Sequence, residues 1–198
     1  MIQTQKHLET NVIETIEDLV ASVGSPPWDL ILVGDGSGVG WDKSAGWAVC
    51  LIDRLGGFRK MFHCFVSAGT VNWAEAACFT HALRFDFFQT NKGKLRAERK
   101  VLIFSDSQVT VNTGNGQYPD DANGDIWAQV AFFRSKGYKI QYHFIGRSTF
   151  QLHVLVDQIS KSNAWQTDDA WMTEQAYLTL PASGTIKTAA ENAPSKSS

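Results

Sequence analysis

The chain has 198 residues, 43% of them hydrophobic, with 7 tryptophans and 12 phenylalanines, which suits one sizeable buried core and excludes a disordered chain. Its formal net charge of −2 gives no whole-molecule attraction to a polyanion, so contact with nucleic acid requires a local patch. No run reaches the roughly 18 apolar residues of a membrane span, and MIQTQKHLETN lacks the basic-then-apolar start of a signal peptide, so the expected setting is intracellular and cytoplasmic, without membrane contact.

Leu8, Val12, Ile13, Ile16, Leu19 and Val20 recur at helical spacing between His7 and Val23, and Gly24 with Pro26-Pro27 ends that helix, predicting a helical extension over residues 1–27. Trp28 to Val33 is apolar at nearly every position, as in a central strand covered on both faces. Ser44 to Asp53 reads as a second strand, and Gly56-Gly57 turns it into a third, Phe58 to Gly69. A long helix over about Trp73 to Phe88 follows. Its Ala76, Ala77, Phe79, Ala82, Leu83, Phe85, Phe87 and Phe88 lie almost all round, which predicts burial between layers.

The basic stretch TNKGKLRAERK leads to Val101–Phe104, a strand that follows a helix and so most simply runs parallel to the first. Ile126, Val130 and Phe133 mark another helix, closed by Gly137; KIQYHFI is a fifth strand, and Leu152, Leu155, Val156 and Ile159 mark a last helix. Beyond Trp165 the composition turns polar, predicting a flexible tail over residues 166–198 and a single domain over residues 28–165. The fold class is α/β: a five-stranded mixed sheet, three antiparallel strands then two parallel, with helices on both faces. Ligands in such sheets gather outside the carboxyl ends of the parallel strands. Cys50, Cys64 and Cys78 are odd in number, lack CxxC spacing and read as buried reduced thiols.

The stretch ILVGDGSGVG has the glycines of a dinucleotide loop, but such a loop turns directly into a helix that holds the pyrophosphate. Here GDGSG leads through WDKSAGWA into another strand, so no helix is there to receive a phosphate. Asp35 after the first strand, Asp106 after the fourth and Glu75 in the first turn of the long helix instead sit at element ends that meet in space. Adjacent parallel strands lie about 4.8 Å apart, close enough for side chains at their ends to share a cation. Asp157, on the last helix, is the fourth candidate.

Carboxylates gathered this way repel one another unless protons or cations compensate them, and oxygen-only ligands suit Mg²⁺ or Mn²⁺. Two such ions about 3.5–4 Å apart activate a water and stabilise the leaving oxygen of a phosphodiester, so metal-assisted phosphodiester hydrolysis is the predicted reaction. The glycines beside Asp35 are expected to let a metal ion and a nucleic-acid backbone come close. Taken singly, each acid has a plainer reading. Asp35 is a turn former, Asn72 with Glu75 a capping box, Asp106-Ser107 the cap of a short helix, and Asp157 a solvated helix residue. Their coincidence in one fold favours the cluster.

The motifs DGS at Asp35 to Ser37, NWAE at Asn72 to Glu75, SDSQ at Ser105 to Gln108, and the aspartate of VDQIS, Val156 to Ser160, together resemble type 1 ribonuclease H from about Trp28 to Trp165. The resemblance implies a ribonuclease H-like fold and an endonuclease that hydrolyses the RNA strand of RNA/DNA hybrids with two Mg²⁺ or Mn²⁺ ions. By position it implies that Asp35, Glu75, Asp106 and Asp157 are the catalytic, metal-binding carboxylates. It also implies that Asn72 and Gln108 contact the RNA strand, where amides can bond ribose hydroxyls and minor-groove edges. Ser37, within the DGS motif, is a further substrate-contact candidate, and Trp73 is the tryptophan best placed to touch a nucleotide.

Two departures from the family pattern stand out. Ten positions before Asp157, where many members carry a mobile histidine, this chain has Arg147. Arginine shuttles no proton near neutrality, so its expected role is phosphate binding or product release, and His153 is the nearest histidine that could substitute. The basic substrate handle is replaced by GNGQYPDDANGD, which leaves Lys92, Lys94, Arg96, Arg99 and Lys100 as the candidate source of hybrid affinity. The rival functions are a catalytically silent ribonuclease H-like module binding nucleic acid or protein, and a DNA junction resolvase of the same superfamily. A proofreading-type exonuclease would want an acid at Ser37, and a transposase core a glutamate at Asp157.

Overall fold

The computed structural model describes residues 15–24, 27–40, 44–90 and 98–165. In chain order the elements are α1 (Ile16–Val23), β1 (Leu30–Gly38), β2 (Ala45–Asp53), β3 (Phe58–Val66), α2 (Val71–Thr90), β4 (Arg99–Ser105), α3 (Gln108–Gly114), α4 (Gly124–Ser135), β5 (Tyr138–Phe144) and α5 (Gln151–Trp165). The five strands form one sheet in the order β3-β2-β1-β4-β5. β1, β2 and β3 are antiparallel neighbours, while β4 runs parallel to β1 and β5 parallel to β4. The expected mixed sheet is therefore the one observed. Residues 7–14 of the expected first helix, Trp41, Lys92, Lys94, Arg96 and the expected tail over 166–198 lie outside the described residues.

Alternation along β1 divides the core in two. Leu30 and Leu32 face α2, α3 and α4 with Val49, Phe79, Val101 and Ile103. Ile31 and Val33 face the other way and pack with Leu102, Phe104, Val156 and Ile159, so side chains at odd positions of β1 point toward α5. α1 joins this second core through Ile16 and Leu19. Its start is set by Thr15, whose hydroxyl accepts the Asp18 N–H, and its end by Gly24 at φ +82°, where the helix stops as expected.

Three expectations need correction. The first strand does not stop at Val33: β1 runs through Gly38, with Asp35 inside it opposite Ala48 of β2. Pairing to β2 carries the glycine-rich stretch on as strand after β4 has ended its pairing at Val33. α2 begins at Val71 and is capped by Thr70, whose hydroxyl accepts the Trp73 N–H at 3.1 Å, so Asn72 and Glu75 form no capping box. The helix is buried continuously only from Ala74 to Thr80. Later His81, Arg84 and Phe88 are exposed, because this half has only one face covered. Finally, Cys50 and Cys78 are buried but Cys64 is exposed, since it lies on the edge strand β3.

Arg99 is a further correction. It is buried at the start of β4, the end of the sheet opposite Asp106, and its guanidinium bonds Asp86 of α2 at 3.1 Å and 2.6 Å and Asp53 of β2 at 3.1 Å. Tyr138 donates to the same Asp86 at 2.7 Å. Arg99 is therefore taken up by the protein's own carboxylates and is not the exposed cation expected from the sequence, and Lys100 next to it is likewise at the far end of the strand. Among the described residues, no helix is long and apolar enough to cross a membrane.

Removing one partner of a buried, bidentate pair leaves a desolvated charge, at about 3–5 kcal/mol. Asp86→Ala is expected to lower the urea-unfolding free energy by that amount. A loss below about 1 kcal/mol would mean that water or Asp53 alone satisfies the guanidinium.

Candidate active site

β1 and β4 run side by side only from Leu30↔Val101 to Val33↔Phe104. Past that point β1 stays with β2, and Asp106 follows the last residue of β4, so the two aspartates flank the end of the parallel pairing. Asp35 is at an odd position and faces α5, with 1% of its surface exposed. The even positions face α2: a Cβ on Gly36 would stand 2.3 Å from the Glu75 backbone nitrogen, and one on Gly34 would stand 2.5 Å from the Phe79 ring. The expected role of these glycines is thus corrected. They admit α2, Gly36 its backbone and Gly34 its Phe79 and Cys78 side chains, and by doing so bring Glu75 to the sheet.

Glu75 is buried and accepts from the Ser105 hydroxyl at 3.4 Å. α5 supplies the opposite wall. His153, Asp157 and Ser160 follow at spacings of four and three, hence on one helix face. The Ser160 hydroxyl donates a short hydrogen bond to Asp35 and lies 2.9 Å from the Ser37 hydroxyl. His153 Nε2 stands 3.7 Å from Asp106 Oδ1, and Asp35, Asp106 and His153 offer ligand atoms all within 4.8 Å of one another. Asp157 is partly exposed and its carboxylate is bonded by Lys161 at 2.6 Å.

Arg147, in the loop before α5, reaches Asp106 Oδ2 through Nε at 2.7 Å, with its own side chain 68% exposed. Asn72 and Gln108 are exposed. Asn72 lines a cavity of about 220 Å³ with Val109, Thr113, Tyr118 and Trp127, while Gln108 donates along its own helix to Asn112 at 2.8 Å. Trp73 packs, partly buried, against the core. His143 meets the Phe104 ring edge-on at 5.8 Å.

Sequence reasoning missed Ser160 and Ser105, the hydroxyls that hold Asp35 and Glu75, and it considered His153 only as a substitute for the family histidine, not as a neighbour of Asp106. The signal for the α5 pair was present: residues 153, 157 and 160 share the face of a helix whose aspartate was already a candidate.

Burial is the main force pushing the Asp35 carboxyl up to about 7. The Ser160 hydroxyl opposes this, and the nearby charges of Asp106 and Asp157 add to it. Glu75 is likewise raised well above the usual range, first by burial and then by Asp35 and Asp106. Burial lowers His153, which keeps its imidazole neutral near neutral pH. Such a set of buried, mutually repelling oxygens, with Asp35 and Glu75 both shifted toward their protonated forms, fits the donor chemistry of Mg²⁺ or Mn²⁺.

The sign of the pH dependence follows. Folded, Asp35 keeps its proton up to about pH 7; unfolded, it loses it near 3.8. Its contribution to stability is therefore present at low pH and is lost as pH rises toward 7. Metal-free Asp35→Asn is expected to melt a few degrees above the wild type at pH 8, the gap closing toward pH 4. Equal melting temperatures at pH 8 would contradict the assigned electrostatics.

No family model and no curated protein matches the chain. Solved structures do. The N-terminal ribonuclease H domain of Rv2228c from Mycobacterium tuberculosis aligns with a TM-score of 0.57 and 15% identity over 75% of this chain and 99% of that one. LC11-RNase H1, solved in complex with an RNA/DNA hybrid, aligns with a TM-score of 0.54 and 18% identity over 72% of this chain and 99% of that one. Ribonuclease H1 from the halophilic archaeon Halobacterium salinarum gives 0.52 and 16% over 69% and 97%. With the strand order β3-β2-β1-β4-β5 and these likenesses, the fold of this chain is that of ribonuclease H.

Proposed function

We propose that the protein is a metal-dependent endoribonuclease that hydrolyses the RNA strand of RNA/DNA hybrids, with residues 28–165 as its domain and two Mg²⁺ or Mn²⁺ ions as cofactors. One observation carries this reading: carboxylates from β1, α2 and the end of β4 are buried against one another at the carboxyl end of the parallel strands. Evolving such repulsion in a core has no structural return, whereas divalent ions turn it into binding energy.

Asp35 and Asp106 would hold the ions, with Glu75 and Asp157 completing their surroundings. The bound ions supply an activated water and a stabilised leaving oxygen. Ser160 and Ser105 orient the Asp35 and Glu75 carboxylates, so that these need not reorganise when an ion arrives. Asn72 borders the cavity next to α3, where an amide can bond a ribose hydroxyl, and Gln108 stands at the start of the same helix. Arg147 keeps its proton at all working pH values. It pairs with Asp106 at rest and is exposed enough to swing to a backbone phosphate. Ser37, bonded to Ser160, supports Asp35 and is the weaker candidate for substrate contact.

One observation favours a second reading, a silent nucleic-acid-binding module: Arg147 neutralises Asp106 with a protein cation at 2.7 Å, in the place an ion needs. The two readings separate on a panel of labelled RNA/DNA, RNA/RNA, DNA duplex and branched DNA substrates in Mg²⁺ or Mn²⁺. Cleavage of the RNA strand of the hybrid is expected, with Asp106→Asn reducing the rate by at least about 100-fold. Hybrid binding without turnover in either metal would favour the module, and cleavage unaffected by Asp106→Asn would refute the assigned site.

A further inference from the structure

His153 is fully buried, yet neither ring nitrogen meets a hydrogen-bond partner, and Asp106 Oδ1 facing it has none either. Leaving a buried polar atom unmet is unfavourable, so three of them at one spot call for a partner. A direct ion pair would draw the nitrogen and oxygen to about 2.7–2.9 Å; they stand 3.7 Å apart. Two ligands each about 2.1 Å from one ion are separated by about 3.0 Å when adjacent and about 4.2 Å when opposite. The observed separation exceeds the adjacent spacing by less than about 1 Å, a gap that a small side-chain shift closes, and Asp35 offers its oxygen within the same 4.8 Å group. The imidazole has little freedom to turn away, because α5 is anchored by Leu152 and Val156 in the core.

We propose that His153 is a nitrogen ligand of the ion held by Asp35 and Asp106, making this centre selective for a first-row transition ion over Mg²⁺. The inference rests on the metal-site reading above. Mg²⁺ takes oxygen donors and gives up its waters reluctantly, whereas an imidazole nitrogen is a donor that first-row transition ions accept. A nitrogen among the carboxylates adds a ligand without adding negative charge, which this crowded site favours.

Mn²⁺ serves as the probe, because its electron spin senses directly bonded nitrogen. Full-length wild-type protein with one equivalent of Mn²⁺ is expected to give imidazole ¹⁴N modulation of the spin echo, and Asp106→Asn to abolish it. His153→Gln is expected to lose the modulation and weaken Mn²⁺ binding by about tenfold or more, with Mg²⁺ affinity, read by competition, unchanged. Mn²⁺ bound in an Asp106-dependent manner without nitrogen modulation would overturn the role of His153 while leaving the carboxylate site standing. Equal weakening of Mg²⁺ would overturn the selectivity, and absence of Asp106-dependent Mn²⁺ binding would overturn this inference and the nuclease reading together. The spin-echo signal is read on wild-type protein, so misfolding of His153→Gln does not affect the decision.

Discussion

No side chain separates α2 from β1 at Gly36, where an added methyl group would stand 2.3 Å from the Glu75 amide nitrogen. This contact sets how close the helix comes to the strand, and so how close Glu75 comes to Asp35 on the neighbouring position. The same strand turns its odd positions to α5, where Ser160 meets Asp35. Gly46 of β2 repeats the device on that side: its added Cβ would stand 2.3 Å from the Ser160 carbonyl and the Ala164 amide. Both helices are thus pressed onto the sheet through glycines, and the acid cluster is held by packing on either side.

The fold buries charge at both ends of its parallel strands, with opposite results. At the amino end, Arg99 meets Asp86 and Asp53, and Tyr138 adds a neutral donor to Asp86. Charges of both signs are present, so the protein itself supplies a cation to these carboxylates, although Arg99 Nη1 is left without a hydrogen-bond partner, and the group ties β2, α2, β4 and β5 together. At the carboxyl end, among the described residues, Asp35, Glu75 and Asp106 meet two hydroxyls, a neutral histidine and only Arg147 as a cation. The upward shift of Asp35 and Glu75 toward their protonated forms is the protein's own response to the excess, and divalent ions are the countercharge that the proposed function would supply. A structural network and a site are distinguished here by whether the protein supplies the countercharge.

Much of this could be read from the sequence. The apolar runs at Trp28–Val33 and Val101–Phe104 gave the central parallel pair, and the carboxylates that follow them gave two corners of the cluster. What stayed hidden depended on contacts between distant segments. Asp35 looked like a turn residue because glycines dominate its neighbourhood, and only pairing with β2 keeps those glycines in a strand. Arg99 looked like one more charge in a basic stretch, since nothing local reveals that Asp86 and Asp53, thirteen and forty-six positions away in the chain, converge on it. His153 and Ser160 acquire meaning only once α5 is laid against β1, although their spacing from Asp157 already placed all three on one face.

The central claim is that burial shifts Asp35 and Glu75 toward their protonated forms and that divalent ions displace those protons. Titration calorimetry of Mn²⁺ binding, repeated in buffers of different ionisation enthalpy, measures those protons directly. At pH 6 the account predicts release of about one proton or more per chain, falling at pH 8.5, where Asp35 has already ionised. Saturable Mn²⁺ binding with no proton release at pH 6 would contradict it.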